Sequence, residues 1–74
     1  MGITYKPLRH ILIDRNLEMK DLRDKNGANL NSSTITRLNK DEYISLKSIE
    51  DICRFLNCRI EDVVEVIVVE GEDK

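Results

Sequence analysis

The chain contains no run of apolar residues near the roughly 20 that a helix needs to cross a bilayer, which excludes a membrane-spanning helix. Nor does it open with an apolar block. Lys6, Pro7, Arg9 and His10 stand where a secretion signal would need one, so the expected location is the cytoplasm. There are only two cysteines and one histidine. Cys53 and Cys58 do not match a zinc pattern, and no second Cys/His pair exists to complete four ligands, so no metal is expected. Reduced thiols are the default in a cytosolic protein. His10 reads as a surface or boundary residue of a helix. A phosphate-cradling loop, a nucleophile elbow and a dinucleotide fingerprint are all missing, so no cofactor is expected. Glu61 and Glu65 have i, i+4 spacing, but nothing apolar encloses them and no histidine is near in sequence. They are not expected to act as paired acids, and an enzyme is not expected. Internal repeats and low-complexity segments are absent as well.

What is present is one small domain, residues 1–74. A chain of this size buries only about 60% of its unfolded surface, too little for a deep catalytic cavity beside an ordinary core. With 41% hydrophobic and 35% charged residues, the composition is that of a globular protein. The net charge of −2 is unevenly spread. Residues 61–74 carry Glu61, Asp62, Glu65, Glu70, Glu72 and Asp73 against Lys74, a local −5 that leaves +3 on residues 1–60. A mildly basic body followed by an acidic segment is compatible with a polyanionic partner, bound modestly and with a steep salt dependence.

Helical periodicity dominates. Pro7 suits a first helical turn, and Leu8, Ile11 and Leu12 follow at i, i+3, i+4, giving helix 1 over about Lys6–Asn16 with Ile13 covering a flank. Helix 2 is expected over Met19–Asn26, with Asp21 and Lys25 as a favourable i, i+4 pair. Helix 3 spans about 32–39. Ser45 caps helix 4, whose Leu46, Ile49, Ile52, Cys53 and Leu56 form an inward stripe, with Lys47–Asp51 and Glu50–Arg54 pairs outside. A fifth short helix is expected over about Ile60–Val64, with Val63 and Val64 packing inward. Val64–Val69 is β-branched apart from Glu65 and reads as a strand that wants cover on both faces. Pairing with Ile3-Thr4-Tyr5, or with another copy of itself, would supply it.

Met19–Leu38 is the stretch that the other segments support. Gly27 separates two short helical patterns and is read as a left-handed helix end. Leu30 is the expected buried plug of the turn, and Asn31 the N-cap of the next helix. That helix buries only Ile35 and Leu38, so hydroxyls, amides and one guanidinium face outward. Such a face suits base edges and phosphates.

In order and spacing the chain resembles Cro/repressor-type (Xre-like) helix-turn-helix DNA-binding transcriptional regulators, specifically a compact single-domain bacterial and phage subgroup. The resemblance covers about residues 3–67. Its pieces are Tyr5-Lys6-Pro7-Leu8, Asp21-Leu22-Arg23, Gly27, and Ser33-Thr34-Ile35 with Leu38. Ser45-Leu46 through Ile49-Glu50-Asp51-Ile52-Cys53, Asn57-Cys58 and Asp62-Val63-Val64-Glu65 complete it. It implies an all-α, five-helix, lambda repressor-like domain with its helix-turn-helix at about 19–38, optionally joined by short terminal β-strands that pair. It also implies sequence-specific binding of double-stranded DNA, usually as a homodimer, with helix 3 in the major groove. Carried over by position, Ser32, Ser33, Thr36 and Arg37 would face base edges. Lys20, Asn31, Thr34 and Lys40 would contact phosphate. Arg37 is the candidate for a bidentate guanine contact, since its planar fork matches O6 and N7. Three departures stand out: Ala28-Asn29 lengthens the turn by two residues, Met19 replaces a polar amide, and Arg23 replaces a small residue.

Dimerisation is expected to use Val64–Val69. The competing reading is a protein-interaction module on the same scaffold, antitoxin-like or an adaptor, with a protein partner at the acidic tail, residues 70–74.

Overall fold

The computed structural model describes residues 2–68, so Val69 and the acidic tail lie outside the described residues. In chain order the elements are β1 (Gly2–Thr4), α1 (Lys6–Asp14), a 3-10 turn (Met19–Leu22), α2 (Ser32–Asn39), α3 (Leu46–Leu56), a second 3-10 turn (Ile60–Asp62) and β2 (Glu65–Ile67). Three α-helices and a two-stranded antiparallel sheet replace the expected five helices. The expected helices 1, 3 and 4 are α1, α2 and α3. Helices 2 and 5 are each reduced to a single 3-10 turn.

Local hydrogen bonding explains the first reduction. The Asp24 carboxylate accepts the Asn26 N–H at 2.9 Å, and its carbonyl accepts the N–H groups of Gly27 at 2.9 Å and Asn29 at 3.1 Å. This Asx-type turn offers the backbone an alternative to helix. The Asp21–Lys25 pair therefore loses its helical geometry, and no ion pair joins them among the described residues. In the C-terminal case, Ile60–Asp62 runs into buried Val63 and then β2, whose β-branched residues favour the extended chain. The expected N-caps, Asn31 and Ser45, both form. The Asn31 side chain accepts from the Thr34 N–H at 2.8 Å, and Ser45 accepts from the Ser48 N–H at 3.1 Å.

All three α-helices end alike, on a left-handed residue that is asparagine or aspartate: Asn16 (φ 62°), Asp41 (φ 57°) and Asn57 (φ 54°). In each the following N–H reaches back five residues. Leu17 bonds to Leu12 at 2.7 Å, Glu42 to Arg37 at 2.8 Å, and Cys58 to Cys53 at 3.0 Å. This is the Schellman arrangement, which satisfies carbonyls that the last turn leaves unpaired. The Arg15 guanidinium donates to the Leu56 carbonyl, tying the end of α1 to the end of α3.

The core is one cluster in which Tyr5, Leu8, Leu22, Leu38, Ile52, Leu56 and Val63 are fully buried. The α3 stripe holds except at its start. Leu46 is 75% exposed, because the first residue after the Ser45 cap projects beyond the core, and Cys53 is only half-buried. Ile13 covers no flank: it is 73% exposed. Val64 is half-buried beside fully buried Val63.

The strand partner is the chain's own N-terminal segment, with Ile3 opposite Val66 and Thr4 opposite Glu65. Tyr5 is not part of the strand; it occupies the N-cap position of α1 and buries its ring. Glu65, Val66 and Ile67 all remain exposed, so the monomer does not cover both faces of β2.

Candidate nucleic-acid interface

The connection between the first 3-10 turn and α2 is what aims α2. Gly27 is required there, but not for a left-handed conformation; the left-handed residue of this loop is Asn29 (φ 57°). A Cβ on Gly27 would sit 2.2 Å from the Asp21 carbonyl oxygen and 3.3 Å from the Phe55 ring, so glycine serves a close backbone approach. The two extra residues are absorbed without opening the turn. Ala28 is buried, Leu30 plugs the core as expected, and the Leu30 N–H closes onto the Leu22 carbonyl at 2.9 Å. Of the other departures, Met19 is half-buried and Arg23 is exposed, clear of the packing between the turn and α2.

From this turn α2 buries Ile35 and Leu38 and turns Ser32, Ser33, Thr36 and Arg37 to solvent. Asn31 and Lys40 are exposed at its two ends, while Thr34 is half-buried. Lys20 lies exposed on the neighbouring 3-10 turn, 4.0 Å from the Glu18 carboxylate; a surface pair of this kind contributes little. Thus seven of the eight expected contact residues are exposed, on or beside one helix.

Their hydrogen bonds set what they can offer. The Asn31 side-chain oxygen accepts from both the Thr34 N–H and the Ser33 hydroxyl, each at 2.8 Å, leaving its amide protons to donate outward. The Thr36 hydroxyl donates to the Ser32 carbonyl at 3.0 Å, so its lone pairs and methyl group remain available. Among the described residues Arg37 has no ion-pair partner, and its guanidinium projects from the last turn of α2, where the helix dipole favours a cation.

Three residues that sequence reasoning did not assign to the site hold the far end of α2. Asp41, just beyond the helix, accepts the Tyr5 N–H at 2.9 Å and takes the Arg9 guanidinium at 3.2 and 3.4 Å. Arg9 also donates to the Leu38 carbonyl at 3.4 Å, and the Tyr5 hydroxyl donates to the Glu42 carbonyl at 2.6 Å. The Tyr5 N–H, then the Arg9 charge, hold the Asp41 carboxyl below the usual aspartate range. Burial, reinforced by the Asp41 charge, pushes the Tyr5 phenol above its ordinary value. A signal was present in the sequence: an aspartate directly after a helix is a residue type that tolerates the left-handed turn.

The two free cysteines meet at the end of α3, away from this face. Burial raises Cys53 and pushes Cys58 up to about 11, which disfavours the thiolate form of both. No group of three or more potential metal ligands occurs among the described residues.

A short helix held over a glycine turn, with its polar face uncovered, is the layout of a DNA-reading helix-turn-helix. The family model for the Cro/C1-type HTH DNA-binding domain matches residues 7–68, and the chain belongs to that family. It is similar to the transcriptional regulator VanUg, in a crystal structure of its form II, with a TM-score of 0.83 and 33% sequence identity. That match covers 89% of this chain and 85% of the other. No curated protein matches the chain. The Cro/repressor-type resemblance is therefore established, as a DNA-binding domain of the transcription-regulator type. No helix among the described residues is long and apolar enough to cross a membrane.

Proposed function

We propose that the protein is a sequence-specific transcriptional regulator that reads the major groove with α2 and acts as a homodimer. The observation that carries this reading is the outward face of α2: Ser33, Thr36 and Arg37 are all exposed, and no other element among the described residues covers them. Arg37 makes the bidentate contact to guanine, while Ser32, Ser33 and Thr36 address neighbouring base edges. Asn31, Thr34, Lys20 and Lys40 bind the flanking phosphates and fix the register.

Homodimerisation is supported by the outer edge of β2, which no further strand pairs among the described residues. Val66 and Ile67 of β2 are 61% and 43% exposed and Val68, just beyond it, is 72% exposed, an apolar stretch with no proline to blunt it. Two copies joined there would place two α2 helices on a two-fold site.

Selection of bound duplexes from a random pool tests the whole reading, with a palindromic consensus as the expected result. On the selected duplex, Arg37→Ala is expected to weaken binding by about 1–3 kcal/mol and relax preference at one base pair. Unchanged affinity and preference would show that α2 does not read DNA through Arg37. If the protein bound no duplex at low salt and instead captured a protein through residues 61–74, the interaction-module reading would replace this one.

A further inference from the structure

We propose that Asp41 is a positioning residue for DNA reading, a strut that sets the angle of α2 against α1; the inference rests on α2 being the reading helix. Ile35 and Leu38 are the buried residues of α2, two positions along one line, so core packing alone offers little resistance to rotation about the helix axis. Its N-terminal end is held by the Leu22–Leu30 closure. Its C-terminal end is held by Asp41, and the geometry there is two-sided. On the α2 side, the left-handed backbone of Asp41 ends the helix, and the Glu42 N–H returns to the Arg37 carbonyl at 2.8 Å. On the α1 side, the same residue's carboxylate accepts the Tyr5 N–H at 2.9 Å and the Arg9 guanidinium at 3.2 Å.

Arg9 and Tyr5 complete the clamp by reaching back to α2 and its exit. Arg9 donates to the Leu38 carbonyl and the Tyr5 hydroxyl to the Glu42 carbonyl. The backbone carbonyl that receives the Glu42 bond belongs to Arg37, the residue that carries the guanine contact. A rotation of α2 released at Asp41 is therefore felt first at Arg37. A bidentate contact demands correct placement of a planar fork, whereas phosphate contacts tolerate displacement. Losing the strut should erode selectivity more than affinity for DNA in general.

Two substitutions separate the strut from mere helix termination. Asp41→Gly keeps, and eases, the left-handed backbone but removes every side-chain bond. Asp41→Asn keeps an acceptor for the Tyr5 N–H and a residue type that tolerates the turn, but loses the charge facing Arg9. Affinities for the selected duplex and for a random duplex are measured by fluorescence anisotropy, at a temperature where circular dichroism shows each variant folded. Asp41→Gly is expected to lower the selected-to-random affinity ratio about tenfold, equivalent to about 1.4 kcal/mol, with random-duplex affinity nearly unchanged. Asp41→Asn is expected to fall between that variant and the parent. A residue that only stops the helix would leave the ratio intact in Asp41→Gly, and that result overturns the proposal. Should Asp41→Gly not fold, Arg9→Gln takes its place, and an unchanged ratio there together with Asp41→Asn overturns it equally. Arg37→Ala, run alongside, tells the two failures apart. If it relaxes preference at its one base pair while the strut variants leave the ratio intact, only the strut is wrong. If it has no effect, the reading by α2 fails and takes the strut with it.

Discussion

At Gly27 the decisive quantity is a distance. The missing Cβ would lie 2.2 Å from a backbone carbonyl oxygen, which cannot swing aside as a side-chain tip can. Gly27→Ala must displace the turn, and urea denaturation should show a loss of about 1–3 kcal/mol or more. Gly2→Ala, with nothing within 4 Å of the added atom, is the matched control and should be close to neutral. The glycine was legible as essential and its reason was not. A turn glycine can be required by a left-handed backbone or by close approach, and the sequence alone does not distinguish them. Asn29 took the left-handed position instead. Asp41 also acts at this scale. Its native carboxyl is held below the ordinary value of 3.8. Its contribution to stability is fully present above that value and is lost as pH falls through the lowered native one. Urea midpoints measured from pH 6 downward should therefore drop less steeply in Asp41→Asn than in the parent. Tyr5 works with the opposite sign: raised above 10.0, its contribution is present below that pH and lost as pH rises through the native value.

Among the elements, the helix ends carry a shared dependence on Asn and Asp. A left-handed residue with a Cβ bears a strain of about 1–2 kcal/mol, which asparagine relieves in part through local hydrogen bonding. Asn57→Ala is thus expected to destabilise the protein by about 1 kcal/mol. Asn57→Gly should be neutral or slightly stabilising, because relief of strain is offset by the greater freedom of glycine in the unfolded chain. Paired thermal melts check both. The same elements show where the sequence was informative. α3 was legible because an apolar stripe, a serine cap and two i, i+4 ion pairs all agreed, and both pairs form, at 2.9 and 2.7 Å. The outward residues of α2 were legible because so few apolar positions can face in. The expected helix 2 was not, because its one clear apolar position, Leu22, suits a single 3-10 turn as well as a full helix, and the competing bonds from Asp24 are invisible to periodicity. Leu46 was misplaced because a stripe gives direction around a helix but not how far along it the core extends. The strut from Asp41 to Tyr5 and Arg9 joins residues more than 30 positions apart, and nothing local encodes it.

Taken whole, the molecule separates a mildly basic body from acidic residues that begin at the second 3-10 turn. With so small a positive charge, each cation that meets phosphate matters. Lys20→Ala and Lys40→Ala should each weaken selected and random duplexes alike, and lower the slope of log affinity against log salt by about 1. Titrations at several salt concentrations measure that slope. A change confined to one sequence would assign the lysine to a base instead.

The ladder between β1 and β2 pairs residues 61 to 65 positions apart through three residues on each side. A ribbon so brief has little cohesion of its own, and it holds because Tyr5 and Val63, immediately inside it, are anchored in the interior. It works as a buckle rather than a girder. Unfastening it would dissolve the edge proposed for a second copy, yet leave α2 still mounted, so the proposed pairing and reading would be lost separately.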